Sequence, residues 1–300
     1  MENPSRKISP NEIASYGMIA TLMTSSSSWL GGYLSIPQES LGTERKQGIF
    51  SLLPKPYMDK VILILHQRKR IFSEWTISTV FGRYMTIKAV EKWSVLESPL
   101  VVALNSVYAD MIIDRDYIVE NSKAVGREYS KHEWNRVNPG TGNPPLVFSS
   151  DTENAFSSRV PSVKELSSSM FWTDYHLPPS AGYQSRIVEE AYRGNLDKLS
   201  RTFANQVIAG LKDSIIRTCD HVDNLTTKNK NIDHRLADTL PNKMAIIKAM
   251  YFINDDETIS LINNLQSIAA KCYDDPVRTI KLTSELREKA LETLDEISVE

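Results

Sequence analysis

Three aspartates, Asp110, Asp114 and Asp116, stand within seven positions of one another, and the first two are one helical turn apart. Two carboxylates on one helix face can hold a divalent cation of the kind that assists phosphoryl transfer. The neighbouring Arg115 and Lys123 equally suit a solvated, charge-compensated face, which is the reading favoured here. His132-Glu133 begins the zinc-protease pattern, but position 136 holds Arg136, so the second ligand on that face is missing. Cys219, His221 and His234 offer a thiolate and two imidazoles. Cys219 and His221 are two residues apart, which puts them on different faces of a helix. The stretch Asn138 to Pro145 contains Gly140 and Gly142 but lacks the lysine and hydroxyl of a phosphate-binding loop. The chain is therefore expected to carry no metal and no cofactor. Were it an enzyme, the candidate is metal-assisted chemistry at the three aspartates, helped by His132 or His176; the balance leans away from an enzyme.

Phosphate contact is the second chemistry to weigh. His66, Arg68, Lys69 and Arg70 form the one compact basic run, and Arg83, Lys88 and Lys92 can join it in space. Arg68, Lys69, Arg70 and Arg83 are the candidate nucleic-acid contacts. Phe72 and Trp75 lie near, yet aromatics are not regularly interleaved as in a stacking platform. A formal charge of -2 gives no global field that would draw in a polyanion, and the pI of about 6.3 points the same way.

The elements that must position these residues are mostly helical. From Leu196 to Leu225 apolar residues recur at steps of three and four: Leu196, Leu199, Phe203, Val207, Leu211, Ile215, Cys219, Val222 and Leu225. Such a stripe has to be covered. The first six of these are the candidate partner interface, should the fold leave them open. Upstream, Pro10 opens a short helix carrying Ile13, Tyr16, Ile19 and Ala20, and Trp29 to Tyr33 suggests a turn at Gly31-Gly32. A helix from Tyr57 carries Met58, Val61, Leu65, Phe72 and Trp75, with His66, Arg68, Lys69 and Arg70 on its solvent face. Another restarts at Pro99 with Leu100, Leu104, Val107, Met111 and Ile118 in register, running toward Trp134. Short extended pieces are expected at Thr79 to Ile87 and at Phe171 to Leu177. Pro241 and Asp275-Pro276 suit the first turns of late helices, and Asp255-Asp256-Glu257 suits another by its charge.

Composition bounds the class. In 300 residues, 41% are hydrophobic and 24% charged, as in a folded soluble protein. Two distant cysteines, Cys219 and Cys272, read as reduced and buried thiols. The segment from Ile13 to Met23 is interrupted by Ser15, Tyr16, Gly17 and Thr21 and does not read as a signal peptide. Val61 to Leu65 is too short to span a bilayer. A cytoplasmic location and no membrane contact are expected.

Trp29 with Gly31-Gly32, Leu52-Leu53-Pro54, Phe81-Gly82-Arg83-Tyr84, the Tyr117 to Trp134 helix end, Phe171 to Leu177 and the long C-terminal helices come in a fixed order. In these pieces the chain resembles, over most of its length, a bacterial and phage family of uncharacterised proteins. Members of that family are encoded near MoxR-type AAA ATPases and von Willebrand A-domain proteins. The resemblance implies a cytoplasmic accessory role and carries no catalytic residues.

The expected fold is mostly α, with few short strands. A helical part covers 1–137, a loop-rich connector 138–180, and a C-terminal long-helix bundle or hairpin 181–300. The expected function is that of a non-enzymatic interaction or assembly protein of phage or prokaryotic origin, binding a protein partner or a second copy. The alternative is a nucleoprotein-like, nucleic-acid-binding protein.

Overall fold

In the computed structural model, residues 6–24, 33–35, 49–51, 53–178, 186–226 and 233–299 are described; for 24, 33–35, 49–51 and 186–196 this covers the backbone only. The Gly31-Gly32 turn, and part of the polar interruption after Leu225, lie outside these residues. The mostly α expectation holds. Ten α-helices dominate the described residues. In chain order they are α1 (Pro10–Ser15), α2 (Lys55–Glu74), α3 (Ile87–Ile113), α4 (Arg115–Val137), α5 (Leu146–Ser157), α6 (Val163–Ser167), α7 (Arg186–Asn224), α8 (Arg235–Met250), α9 (Asp256–Ile268) and α10 (Pro276–Asp295).

Short strands fall between them: β1 (Arg6–Ile8), β2 (Gly17–Thr24), β3 (Tyr33–Ser35), β4 (Ile49–Ser51), β5 (Ile77–Thr79), β6 (Gly82–Thr86), β7 (Phe171–His176) and β8 (Ile297–Val299). They form a four-stranded sheet in the order β5-β6-β2-β7 and two strand pairs, β3-β4 and β1-β8. The extended pieces expected at Thr79 to Ile87 and Phe171 to Leu177 are β6 and β7. The helix expected over Ile13 to Ala20 is corrected: it stops at Ser15, and β2 starts at Gly17. The register pairs Gly17 with Thr86 and Ile19 with Tyr84. A Cβ at Gly17 would lie 2.3 Å from the Met85 carbonyl oxygen, so the close approach of β6 demands glycine there.

The helix breakers also behave differently from their sequence reading. Pro99 does not start a helix but lies inside α3, and Pro241 lies inside α8. Pro99 is exposed, where water can satisfy the carbonyl that its missing N–H leaves open. The connector 138–180 contains α5, α6 and β7. Its loop signals are confined to the turn where Gly140 and Gly142 take φ of 83° and 86°. A capping box starts α6: Ser162 accepts from the Glu165 N–H, and Glu165 accepts from the Ser162 N–H.

The chain packs as two compact units built from interleaved segments, rather than as the consecutive parts 1–137 and 181–300. Unit 1 comprises Met1–Thr21, Ile71–Leu96 and Asp174–Glu300; unit 2 comprises Leu22–Arg70 and Glu97–Thr173.

Unit 1 is organised around α7, which packs on α1, β5, β8, α8 and α10. Phe203, Val207, Leu211, Ile215, Cys219 and Val222 are fully or almost fully buried in it. Each large apolar side chain so covered stabilises the fold by about 1.5–3 kcal/mol. Gly210 lets α7 cross β5, since a Cβ there would meet the Ile77 side chain at 2.3 Å. Asp255 and Asp275 accept hydrogen bonds at the starts of α9 and α10, as their sequence positions imply.

Unit 2 buries Leu53, Met58, Val61, Leu104, Val107, Tyr108, Met111, Ile118 and Phe171 in one cluster. On α4, Ser122, Gly126 and Ser130 form a buried row of small residues. They let α5 come close: a Cβ at Gly126 would sit 3.0 Å from the Glu153 Cα.

Candidate interaction surface

Helix α2 carries a row at steps of three and four, Met58, Val61, Leu65, Arg68 and Phe72. Arg68 therefore falls on the apolar side of α2, and it is only 3% exposed. Its Nε donates to Glu97 Oε1 at 2.9 Å, and its Nη2 donates to the same carboxylate. Nη2 also donates to the Trp172 carbonyl at 2.7 Å and Nη1 to the Met23 carbonyl at 3.4 Å. Thr173 Oγ1 donates to Glu97 Oε1 at 2.7 Å. A guanidinium and a carboxylate taken out of water need such additional partners, because desolvation otherwise exceeds their attraction. The network fixes α3 by its one buried acid, Glu97.

With that side of α3 turned inward, the opposite side is defined. The row Lys88, Lys92, Val95, Pro99, Val102, Ser106, Ala109 and Ile113 advances by four and three alternately, and every member is exposed. From Val95 onward the row carries no charge. Val95 is 70% exposed, Val102 65% and Ile113 80%. Solvent-facing helix rows normally carry charged residues; this one is apolar or small for six successive positions. The strict 3.5-residue repeat is the geometry of a seam between helices. Among the described residues α3 is also the one helix long and apolar enough to cross a membrane, and only 28% of its most apolar 18-residue stretch is buried.

The basic run does not form a single face. Arg68 is in the buried network; Lys69 and Arg70 are exposed on α2, and Arg83 is exposed on β6. The nucleic-acid reading thus loses its central residue to an intramolecular ion pair. The partner interface expected on α7 is also corrected. Phe203, Val207, Leu211 and Ile215 are core residues of unit 1, covered by the helices and strand that follow and precede them. Leu199 stands 40% exposed, and the side chain of Leu196 lies outside the described residues.

The metal candidates separate. Asp110 belongs to the last turn of α3, whereas Asp114 lies in the break before α4 and accepts a hydrogen bond from the Tyr57 hydroxyl. That bond, with the Asp114 charge, pushes the Tyr57 hydroxyl up to about 12. Asp116 is exposed on α4. Cys219 is buried, with its Sγ 3.6 Å from the Thr283 carbonyl, and burial raises its thiol to about 11. His221 pairs with Thr239 Oγ1 at 2.8 Å, while His234 packs on Tyr273 with ring centroids 4.9 Å apart. His176 stands 3.2 Å from Asp174 on the surface. No group of three or more His, Cys, Asp or Glu side chains that could hold a metal occurs among the described residues.

A groove of about 630 Å³ between α9 and α10 is lined by Asp256, Glu257, Glu285, Glu288 and Glu292 around Lys289. Lys289 already pairs with Glu257 at 2.9 Å and Glu292 at 3.3 Å, which raises its pKa. Its charge is spent within the groove.

No protein-family model, curated protein or solved structure matches the chain. The α3 row is masked in the sequence by its more strongly apolar buried counterpart, Leu100, Leu104, Val107 and Met111. The available signal was the lack of any charge between Lys92 and Asp110 other than Glu97.

Proposed function

We propose that this chain is a non-enzymatic interaction protein whose docking surface is the exposed row of α3 from Val95 to Ile113. The observation that carries this reading is the uncharged, seam-spaced row on a helix whose other side is locked into a core. Leaving Val95, Val102 and Ile113 in water forgoes stabilisation that a covering surface supplies. A bilayer-spanning role fits less well, because Glu97 of the same helix is held in an ion pair, and Leu104, Val107 and Met111 belong to a protein core. The accessory role beside an AAA ATPase, in a phage or prokaryote, is the concrete form that the sequence resemblance lends to this reading.

The test is site-specific photo-crosslinking in cells that make the protein naturally. A photoreactive side chain at Val102 is compared with one at Lys131, an exposed position on α4 that pairs with Glu128. Discrete adducts from Val102 that vanish when Val95 is also changed to Glu, with Tm unchanged, are the expected outcome. Adducts no stronger at Val102 than at Lys131 sink the proposal.

A further inference from the structure

We infer that the turn joining α4 to α5 is a second docking surface, separate from the α3 row, and that it dips into the headgroup layer of a phospholipid bilayer. Among the described residues the two helices pack chiefly on one another. They are rooted in the unit 2 core at Ile118, and α4 ends at Val137, roughly 28 Å further along at 1.5 Å per residue. From Asn135 to Val147 every residue is exposed except Asn138 and Pro144, which are half-buried. The turn has its own hydrogen bonds: Thr141 donates to the Asn138 carbonyl through its N–H at 3.2 Å and its Oγ1 at 2.7 Å. At this free end stand Val137, 60% exposed, Leu146, 86%, and Val147, 72%. Leu146 is the most exposed large apolar side chain among the described residues. No charged residue occurs from Val137 to Ser150. Apolar side chains scattered singly on a surface need no explanation; three gathered at the end of a helix pair do.

The area on offer selects the occupant. A turn bearing three apolar side chains falls far short of the roughly 800 Å² per partner of a stable protein interface, so a second copy or a globular partner gains little from it. A fluid bilayer demands neither a matching pocket nor a large area. The backbone favours the same occupant. Pro145 precedes α5 without a side-chain cap, and the first turn holds no acid, so its first N–H groups lie beside Leu146 and Val147 with no side-chain acceptor. An apolar protein pocket would strand those donors, whereas the headgroup layer offers phosphate and ester oxygens next to the acyl chains. Charge decides which lipids suffice. Behind the turn Lys131 pairs with Glu128 and Arg136 with Glu133, and Asp151 is exposed. The turn thus has no cationic rim that would prefer anionic lipid. Three partly inserted apolar side chains give marginal, reversible binding, as one acyl chain does. Contact of this kind needs no bilayer-spanning stretch and no leader, the two features whose lack underlies the expectation of no membrane contact.

The experiment mixes the full chain with vesicles of phosphatidylcholine alone, or of phosphatidylcholine with phosphatidylserine. Cys219 and Cys272 are both buried, so Val147→Cys offers one exposed thiol for an environment-sensitive dye. Ser158→Cys does the same at the opposite end of α5. The expected result is cosedimentation with both kinds of vesicle, little changed by salt, and a blue shift of the dye at position 147 but not at 158. In Leu146→Glu combined with Val147→Glu, the new acids stand in the first turn of α5, where the helix dipole favours them. The Tm should therefore hold while vesicle binding weakens roughly tenfold to a hundredfold. Binding that requires phosphatidylserine and falls with salt overturns the proposal, as does binding that the double change leaves intact. Binding lost in Val102→Glu but kept in the double variant assigns the lipid to α3 and overturns it too. A dye shift that follows protein concentration without vesicles identifies a second copy as the occupant and overturns the lipid reading. No binding to either vesicle, with no dye shift, removes this surface and leaves the reading of α3 untouched, since that reading stands on crosslinks from Val102.

Discussion

Arg68 shows how one side chain can read as two opposite things. Its neighbours Lys69 and Arg70 make it part of a basic run, yet it stands seven residues after Val61, and therefore on the same face of α2. The helical period was already sufficient to place it inward; the run of like charges obscured that. Its partner was not legible, because nothing in the sequence links position 68 to position 97. Replacing Glu97 by Ala should destabilise the protein by about 3–5 kcal/mol, as it leaves a buried guanidinium without its counter-charge. The double change Arg68→Met with Glu97→Leu should cost less than either single change, and urea unfolding of the three variants measures the difference. Cys219 gives a prediction in pH. Burial raises its thiol from 9.0 to about 11, so the folded state holds this proton more tightly than the unfolded state. The corresponding stability is complete below pH 9 and is lost as pH rises toward 11. Denaturation followed across that window should show a decline that is shallower in Cys219→Ala.

Among the elements, the apolar stripe of α7 was legible in register from Phe203 to Val222, because burial on one side writes a period of 3.6 into the sequence. What covers the stripe was not, since covering residues come from α1, β5, α8 and α10 at long separation. Leu211→Asp should unfold unit 1, or cost several kcal/mol, by placing a carboxylate in its centre. Lys212→Asp exchanges the surface pair with Asp295 for a screened repulsion between two surface carboxylates and should cost on the order of 1 kcal/mol. Equal Tm values for the two would refute the register. At the crossing of α7 over β5, Gly210→Val should cost at least the 1–3 kcal/mol typical of overpacking, because the buried and β-branched Ile77 has little room to move. The prolines misled for a physical reason. Pro99 lies on the exposed side of α3, where the lost backbone bond is replaced by water, so a residue type that usually bounds a helix here lies within one.

At the scale of the whole chain, the order of segments does not follow the order of packing. Composition and breakers mark consecutive stretches, and they correctly indicated a mostly helical protein. They carry no record of which stretches meet, so the interleaving of the two units had no sequence signature. Strand β8 is the clearest case: Ile297 continues the apolar spacing of α10, yet it leaves the helix and pairs with Arg6 in β1. Deleting residues 296–300 should lower the Tm of unit 1 while leaving the melting of unit 2 in place, as resolved by hydrogen exchange of α7 and α4.

That parallel pairing also sets a timetable. Arg6 and Ile297 are 291 positions apart, and ribosomes add about 5–20 residues per second. Strand β1 therefore waits roughly 15–60 s for its partner at that pace. Helix α7 likewise emerges before α8 and α10, which cover its stripe, have been made. Unit 2, whose last segment ends at Thr173, can close during synthesis, whereas unit 1 spends that interval with an open strand edge and uncovered Phe203, Val207 and Leu211. Newborn chains should thus be most vulnerable to chaperone capture and to proteolysis after Thr173 has left the tunnel and before Val299 has.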